Sequence, residues 1–256
     1  MPPTDASAGT GPVPAQPDSA TPRTVTAGPR NSPFGRFTVE DDDPDGEDTL
    51  ELCLPAEFVA LRAGATTGLL GRPATWGPVV TPVGSFQLMP VRLDQDLPLV
   101  HRWMNDPAVA EFWELAGPRN RTEDHLRAQL HGDGRSVPCL GVLDGTPMSY
   151  WEIYRADLDP LARHYPVRPH DTGIHLLVGD AADRGRGLGS VLLRAVADLI
   201  LDRRPTCAHV VAEPDLRNTP SIAAFLSAGF RFAAEVDLPD KRAALVIRDR
   251  VLRDVL

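Results

Sequence analysis

The chain has 256 residues, of which 42% are hydrophobic, and carries a formal net charge of −9 at pH 7. This length suits one domain of good size plus a tail. The acidic balance, without a broad basic stripe, argues against a nucleic-acid-binding surface, and no apolar run is long enough to cross a membrane.

The three cysteines, Cys53, Cys139 and Cys207, are scattered and show no C-x-x-C spacing. This pattern argues against a disulfide framework and against a zinc site. The N-terminus also lacks the apolar core of a signal peptide. We therefore expect a soluble, cytoplasmic protein with reduced thiols and no bound metal.

The first part of the chain differs in composition from the rest. Residues 1–48 are rich in Pro, Gly, Ser, Thr and Ala and end in an acidic run. Such a segment buries too little apolar surface to offset its ordering entropy, so it is predicted to be a disordered tail. Residues 49–82 hold short apolar stretches broken by proline and glycine, which predict an N-terminal β extension. Residues 83–256 form the predicted main domain.

The main domain alternates strand-like and helix-like patterns. Strands are predicted at residues 86–92, 138–143, 148–154, 172–179, 208–212, 230–237 and 242–248. Helices are predicted at residues 94–105, 122–132, 187–202 and 219–228. The order β-α-α-β-β-β-α-β-α-β-β predicts an α/β fold with a mixed central sheet flanked by helices.

Local signals support several of these boundaries. Thr122 is the expected start of the second helix, and Asn218 and Gly229 are the expected cap and stop of the last helix. Asp144 and Gly145 indicate a β-hairpin, with a loop slightly longer than the tightest type.

The most informative segment is TGIHLLVGDAADRGRGLGSVLL, residues 172–193, in which an apolar strand leads through a glycine-rich turn into a helix that begins near Gly187. Backbone N–H groups at a helix start lack internal partners and lie at the positive end of the helix dipole. Glycines let a phosphate approach them, and Arg184 and Arg186 add donors there. The segment therefore predicts a pyrophosphate site, with coenzyme A as the favoured ligand.

Two other nucleotide-binding motifs fit the sequence of this turn less well. Gly185, Gly187 and Gly189 give G-x-G-x-G, whereas a dinucleotide fingerprint needs G-x-G-x-x-G. A P-loop needs a Gly-Lys-Ser/Thr end, and the turn has no lysine. An ordinary glycine-rich turn in an α/β domain remains the alternative.

The element order together with Arg184-x-x-Gly187-x-Gly189 resembles the GNAT superfamily of acyl-CoA-dependent N-acyltransferases. The blocks WMNDPAVAEFWE, DTGIHLLVGD, AEPDLRNTPSI and DLPDKRAALVIRDR resemble, more specifically, the subgroup that makes hydroxamate siderophores by acylating hydroxylysine or N-hydroxycadaverine. The resemblance spans residues 86–250. It implies the GNAT fold, acyl-CoA (acetyl-CoA or succinyl-CoA) as co-substrate, and a small hydroxylated amine as acceptor. The residues themselves predict no metal and direct transfer in a ternary complex.

The resemblance also implies a set of cofactor-binding residues. The strand before the turn would pair with the pantetheine arm, and a bulge there would aim a backbone N–H at the thioester oxygen. Phe225 stands where many relatives carry a tyrosine that protonates the leaving thiolate, so that proton must come from elsewhere. The expected cofactor-binding residues are Leu176, Leu177, Val178, Arg184, Arg186, Gly187, Gly189, Ser190, Asn218 and Phe225.

Acyl transfer to nitrogen needs an unprotonated nucleophile, donors for the oxyanion and a proton route. The resemblance implies that His175 and Glu213 are catalytic. A hydroxylamine nitrogen is weakly basic and already neutral near pH 7. A histidine with a pKa of about 6.5, held by Glu213 in the right tautomer, would therefore suffice. The residues alone also allow a purely structural His175, which makes its hydrogen bonds inside the sheet while Glu213 is solvated.

The acceptor pocket is expected to include Trp113, Glu114 and Asp171, and Glu114 or Asp171 could hold a distant ammonium group. An arginine in the pocket, Arg119 or Arg121, would favour a lysine-type acceptor, whereas a second acid would favour a diamine. The acids around these positions favour the diamine slightly.

The remaining polar and aromatic residues are expected to be structural. Trp103 is predicted to pack in the core, and Glu152 to be a solvated charge on a packed strand. Cys139 and Cys207 lie away from the predicted acyl site, which argues against an acyl-cysteine intermediate. Two other functions stay open: a GNAT enzyme acting on protein amines or an aminoglycoside, and a non-catalytic acyl-CoA-binding module.

Overall fold

The computed structural model describes residues 69–255, so the predicted tail and residues 49–68 of the predicted β extension lie outside the described residues. Eight strands in this range form one mixed sheet. The strands are β1 Val79–Thr81, β2 Gly84–Pro90, β3 Ser136–Leu143, β4 Thr146–Arg155, β5 Thr172–Val178, β6 His209–Ala212, β7 Arg231–Asp237 and β8 Arg242–Asp249. The α-helices are α1 Leu93–Met104, α2 Pro107–Trp113, α3 Arg119–Leu130, α4 Leu188–Arg203 and α5 Thr219–Ser227.

The strand order is β1-β2-β3-β4-β5-β6-β8-β7. All neighbouring strands are antiparallel except β5 and β6, which are parallel and pair only at Thr172–Val210 and Gly173–Val211. Beyond Gly173, therefore, β5 is paired with β4 on one side but no longer with β6 on the other. The sheet opens at this point, and the functional site described below lies there.

Strand side chains alternate between the two faces of the sheet, and apolar side chains lie on both faces, so helices cover both. Trp151 and Ile153 of β4 are fully buried in the cluster formed with α4 and α5. Tyr150, which precedes Trp151 and lies on the opposite face, packs instead with α1 and α2. Full burial of an apolar side chain of the size of Ile153 contributes about 1.5–3 kcal/mol, so these two clusters hold the sheet between its helices.

Every strand and helix predicted in the main domain is present, with boundaries within a few residues. Two details of the prediction are wrong. Helix α3 begins at Arg119, and Thr122 is buried inside it, where its hydroxyl lies 3.3 Å from His101 Nδ1. The hairpin between β3 and β4 has a two-residue turn of the tightest type, because Asp144 and Gly145 both adopt positive φ (46° and 81°).

Two elements extend the predicted order. The short aromatic segment after α1 is helix α2, which is capped by Asp106 accepting from Ala108 N. Strand β1 falls in the predicted β extension and pairs with β2, although the domain boundaries themselves stay a prediction. None of the helices in the described range is long and apolar enough to cross a membrane.

Candidate active site

The glycine-rich turn joins β5 to α4 as the sequence indicates. Gly185 and Gly187 have φ of 72° and 76°, in the left-handed region that favours glycine, and Gly187 caps the helix. The first N–H groups of α4 consequently face outward without partners inside the helix. They border a cavity of about 420 Å³, here named the turn cavity.

The turn cavity collects nine of the ten residues expected to bind the cofactor. The exception is Arg186, whose side chain is 64% exposed and lies 3.5 Å from Asp183. The residues present are Leu176, Leu177, Val178, Arg184, Gly187, Gly189, Ser190, Asn218 and Phe225.

Arg184 braces the turn. Its guanidinium donates to the carbonyls of Val178 and Gly179 and to Asp106 Oδ1 at 2.8 Å. The hydrogen bond from Arg184 holds the pKa of Asp106 below its usual value of 3.8. The arginine thus ties the end of β5 to the cap of α2, and the main-chain amides of α4 are left as the principal donors to an anion.

The prediction of a bulge at residues 176–178 is wrong, because β5 has no bulge where it pairs with β4. The register of β5 against β4 is regular from Ser149–Val178 to Arg155–Thr172. The exposed main-chain edge of β5 arises instead because β6 stops pairing with it after Gly173.

His175 points away from the α4 side of the sheet and lies between two carboxylates. Its Nδ1 lies 2.9 Å from Glu152 Oε2, and its Nε2 contacts Glu213 Oε1 closely. Both carboxylates are buried, with Glu152 only 7% and Glu213 only 6% exposed. Because an ionised carboxylate can only accept, both ring nitrogens must donate, which makes His175 an imidazolium. We call these three residues the carboxylate–histidine cluster.

The electrostatics of the cluster agree with this geometry. Burial acts to lower the pKa of His175, but the charge of Glu213 and the hydrogen bonds to both carboxylates outweigh it and raise that pKa from 6.5 to about 10. Burial likewise acts to raise the pKa of Glu213, but the charge and hydrogen bond of His175 lower it to about 2. The expectation of a histidine with an ordinary pKa is therefore wrong.

Glu152 is the residue that sequence reasoning missed, and the expectation that it is a solvated charge is wrong. It is buried, and its Oε1 accepts from His125 Nε2 at 2.6 Å, Gln129 Nε2 at 2.6 Å and Tyr150 OH at 3.0 Å. The register of β4 and β5 places it directly opposite His175. Such cross-strand neighbours have adjacent side chains, so the register would have revealed the contact.

A second cavity, of about 400 Å³, lies over the carboxylate–histidine cluster; we name it the acid-lined cavity. Trp113 forms one wall, with its ring in edge contact with His175 (centroids 6.1 Å apart). The two cavities meet where the sheet opens, and six residues line both. They are Phe112, Trp113, Leu176, Asn218, Ser221 and Phe225.

Charges of both signs line the acid-lined cavity. Lys241, the single lysine of the chain, lies with its Nζ 3.6 Å from Glu213 Oε1. Glu114 and Asp240 also line the cavity, and neither side chain has an ion pair or hydrogen bond with another residue in the described part of the chain. The cavity thus offers one ammonium group and two carboxylates without a hydrogen bond in the described residues, and the charge of Glu114 also acts on Arg217.

Asp171, which was expected in the acceptor pocket, and the two candidate arginines do not line the acid-lined cavity. Asp171 is fully buried and accepts from the backbone N–H groups of Arg168 and His209, so it holds loops together and does not reach the cavity. Arg119 borders a different cavity. Arg121 donates to the carbonyl of Ala116. The acid-lined cavity is lined by Lys241 and not by either of the two candidate arginines.

Other expectations are simpler to report. Trp103 is buried in the core as predicted and reaches Asp180 Oδ1 at 3.4 Å. Asn218 caps α5 by accepting from Ser221 N. Over residues 69–255, no group of histidine, cysteine or acidic side chains is arranged to hold a metal ion.

Comparison with known proteins gives a consistent picture. A family model described as an acetyltransferase (GNAT) domain matches residues 92–238. The lysine N-acyltransferase MbtK of Mycolicibacterium paratuberculosis is 37% identical over 169 residues, which cover 66% of this chain and 76% of the relative. The N(6)-hydroxylysine O-acetyltransferase of Escherichia coli is 38% identical over 149 residues, which cover 58% of this chain and 47% of the relative.

Solved structures share the same fold. An uncharacterized protein from Bacillus halodurans superposes with a TM-score of 0.66 at 34% identity, covering 70% of this chain and 94% of that chain. An aminoglycoside acetyltransferase AAC(6')-Ib in complex with coenzyme A has a TM-score of 0.59 at 23% identity, covering 66% and 98%. At this lower identity the second similarity is one of fold alone.

Proposed function

The chain belongs to the GNAT acetyltransferase family and is an acyl-transferring enzyme, and we propose that it acylates the hydroxylamine nitrogen of an N-hydroxylated diamine or lysine. The acyl group, acetyl or succinyl, comes from acyl-CoA, and the product serves hydroxamate siderophore biosynthesis. The observation that carries the proposal is the position of the carboxylate–histidine cluster in a cavity that adjoins the turn cavity.

Coenzyme A is assigned to the turn cavity. The unpartnered N–H groups at the start of α4 and the positive end of its dipole favour a diphosphate, and Gly187 lets it approach the main chain. The pantetheine arm then follows Leu176 and Val178 along the edge of β5, which β6 leaves unpaired. Main-chain N–H groups on this edge are the proposed donors for the thioester oxygen.

The acceptor is assigned to the acid-lined cavity, with its reacting nitrogen at the junction of the two cavities. There the nitrogen lone pair attacks the thioester carbon, and the carbon–sulfur bond breaks. His175 gives its proton to the departing thiolate, and the resulting imidazole takes the proton from the nitrogen. The products are a hydroxamate and free coenzyme A, and His175 ends the cycle protonated as it began.

This assignment gives the leaving thiolate a proton donor that Phe225 cannot supply. Phe225 lines both cavities and has no exchangeable proton. An imidazolium in the adjoining wall replaces the missing tyrosine in that role. Cys139 and Cys207 are buried and line neither cavity, which supports direct transfer between the two substrates rather than an acyl-cysteine intermediate.

The test is product analysis by mass spectrometry. N-hydroxycadaverine and N6-hydroxylysine are each offered with acetyl-CoA and with succinyl-CoA, beside the same amines without the hydroxyl group and an aminoglycoside. We expect a hydroxamate and one equivalent of free thiol with at least one hydroxylated amine. Acylation of the aminoglycoside or of the simple amines alone would contradict the proposal, as would the absence of thiol release in every mixture.

A further inference from the structure

We propose that Glu152 is a positioning residue, which fixes His175 as a doubly donating imidazolium so that the histidine serves as a proton donor and not as the initial base. This inference rests on the function proposed above. Glu152 lines the acid-lined cavity, but protein donors occupy both of its oxygens, and its role is to hold His175.

Two carboxylates fix the orientation of the His175 ring. Glu152 and His175 are paired residues of antiparallel strands, and Glu152 Oε2 accepts from His175 Nδ1 at 2.9 Å. Glu213 accepts from the opposite ring nitrogen. The imidazolium is held at both ends, so neither nitrogen can accept a proton from the acceptor amine before the ring has given one to the thiolate.

Glu152 cannot easily move or become protonated. Its other oxygen accepts from His125, Gln129 and Tyr150, and Gln129 is itself oriented by Ser136 Oγ donating to its Oε1 at 2.7 Å. If Glu152 were protonated, its carboxyl hydrogen would lie among these three donors, which need an acceptor. Burial acts to raise the pKa of Glu152, but the hydrogen bonds from His125 and His175 hold it well below its usual value.

The charges around His175 balance. Two carboxylates, one imidazolium and the ammonium of Lys241 together make a neutral set. Neutralising Glu152 leaves one excess positive charge, which favours loss of the proton from His175. Among the described residues, the other titratable groups that face this set are Tyr150 and Tyr154 from β4, His125 from α3, and Glu114, Asp215 and Asp240 in the cavity wall.

The decisive measurement is the titration of His175 by NMR in protein labelled with ¹⁵N-histidine, its signal identified by its loss in His175→Gln. In the unsubstituted protein both ring nitrogens should stay protonated at pH 8. In Glu152→Gln the midpoint should fall by about one pH unit or more, because a neutral amide oxygen replaces a charged acceptor. In Glu152→Asp, which keeps the charge, the midpoint of His175 should lie between those of Glu152→Gln and the unsubstituted protein.

Kinetics give the second readout. For Glu152→Gln we expect kcat at pH 8 to fall about tenfold or more, with the alkaline limb of its pH profile moved to lower pH. The KM for acyl-CoA should change by less than about twofold, because Glu152 does not line the turn cavity. Glu123→Gln is the matched control, since Glu123 lies on the same helix as His125 but pairs with Arg127 at the surface.

The outcomes separate the two proposals. A ring nitrogen of His175 that is unprotonated at pH 7 in the unsubstituted protein would overturn the role of Glu152, even if Glu152→Gln fails to fold. An unchanged His175 midpoint in Glu152→Gln would overturn it as well. If no hydroxylated amine is acylated, the proposed function fails, while the NMR titration still tests the positioning of His175.

Discussion

The raised pKa of His175 makes the stability of the protein fall in the alkaline range, and this fall can be measured. The pKa is about 10 in the folded protein and 6.5 ordinarily. A group whose pKa is raised by folding contributes stability that is complete below the ordinary pKa and disappears as pH rises through the folded value. The contribution of His175 is therefore full below about pH 6.5 and is lost progressively as pH rises through about 10.

The size of the effect follows from the same two values. Without screening, they correspond to about 5 kcal/mol between the charged and neutral forms. The side chain of His175 is 34% exposed, so solvent screens part of this interaction, and we expect about 2 kcal/mol to be lost. Burial raises the pKa of Tyr154 and of Tyr150 well above 10, so these neighbours do not titrate in this window.

The assay is urea unfolding of the unsubstituted protein and of His175→Gln at pH 6, 8 and 10. Both proteins share every other titratable group, so the difference between their curves reports on the histidine. The unsubstituted protein should lose about 2 kcal/mol more than the variant between pH 6 and pH 10. Parallel losses in the two proteins would refute the reasoning that the two carboxylates hold His175 charged.

Three further predictions concern binding and turnover. His175→Ala should lower kcat by about 100-fold or more while calorimetry still detects acyl-CoA binding; near-normal turnover would remove the histidine from the reaction. Gly187→Ala should weaken acyl-CoA binding by about tenfold through strain at φ 76°, whereas Gly145→Ala, with similar strain in the hairpin turn, should cost stability only. Lys241→Gln should raise the KM for N6-hydroxylysine about tenfold and leave that for N-hydroxycadaverine within about twofold, since only the former carries a carboxylate; equal changes would exclude Lys241 from carboxylate recognition.

The elements that local chemistry determines were predictable from the sequence. The strand, glycine-rich turn and helix around Gly187 follow from one short segment, and Asn218 and Gly229 bound α5 as their side chains and backbone preferences require. Thr122 shows the limit of such signals. A threonine before an apolar run resembles a cap, but here its hydroxyl is directed at His101 on a neighbouring helix, a contact that depends on helix packing.

The site was only partly predictable because its members meet across long loops. His175 and Glu213 came from the resemblance, and the structure brings them into contact. Glu152 lies opposite His175 only because of the register of β4 and β5, and the 16-residue connection between them does not fix that register. Asp171 shows the converse error: a buried acid at the start of a strand has the same sequence appearance whether it binds substrate or, as here, the N–H group of His209.

The protonation state of His175 also gives a physical reason for the choice of acceptor. An alkylamine with a pKa of about 10.4 is an ammonium at neutral pH and must first lose a proton to a base. A histidine whose ring nitrogens both donate to carboxylates cannot take that proton, whereas the weakly basic hydroxylamine nitrogen needs no such step. Turnover of a hydroxylated amine should therefore be nearly flat from pH 6 to 8, while turnover of the matching simple amine should be low and rise about tenfold per pH unit. Initial rates with N-hydroxycadaverine and cadaverine at saturating acyl-CoA test this, and a pH-independent rate with cadaverine would show that another group in the cavity acts as the base.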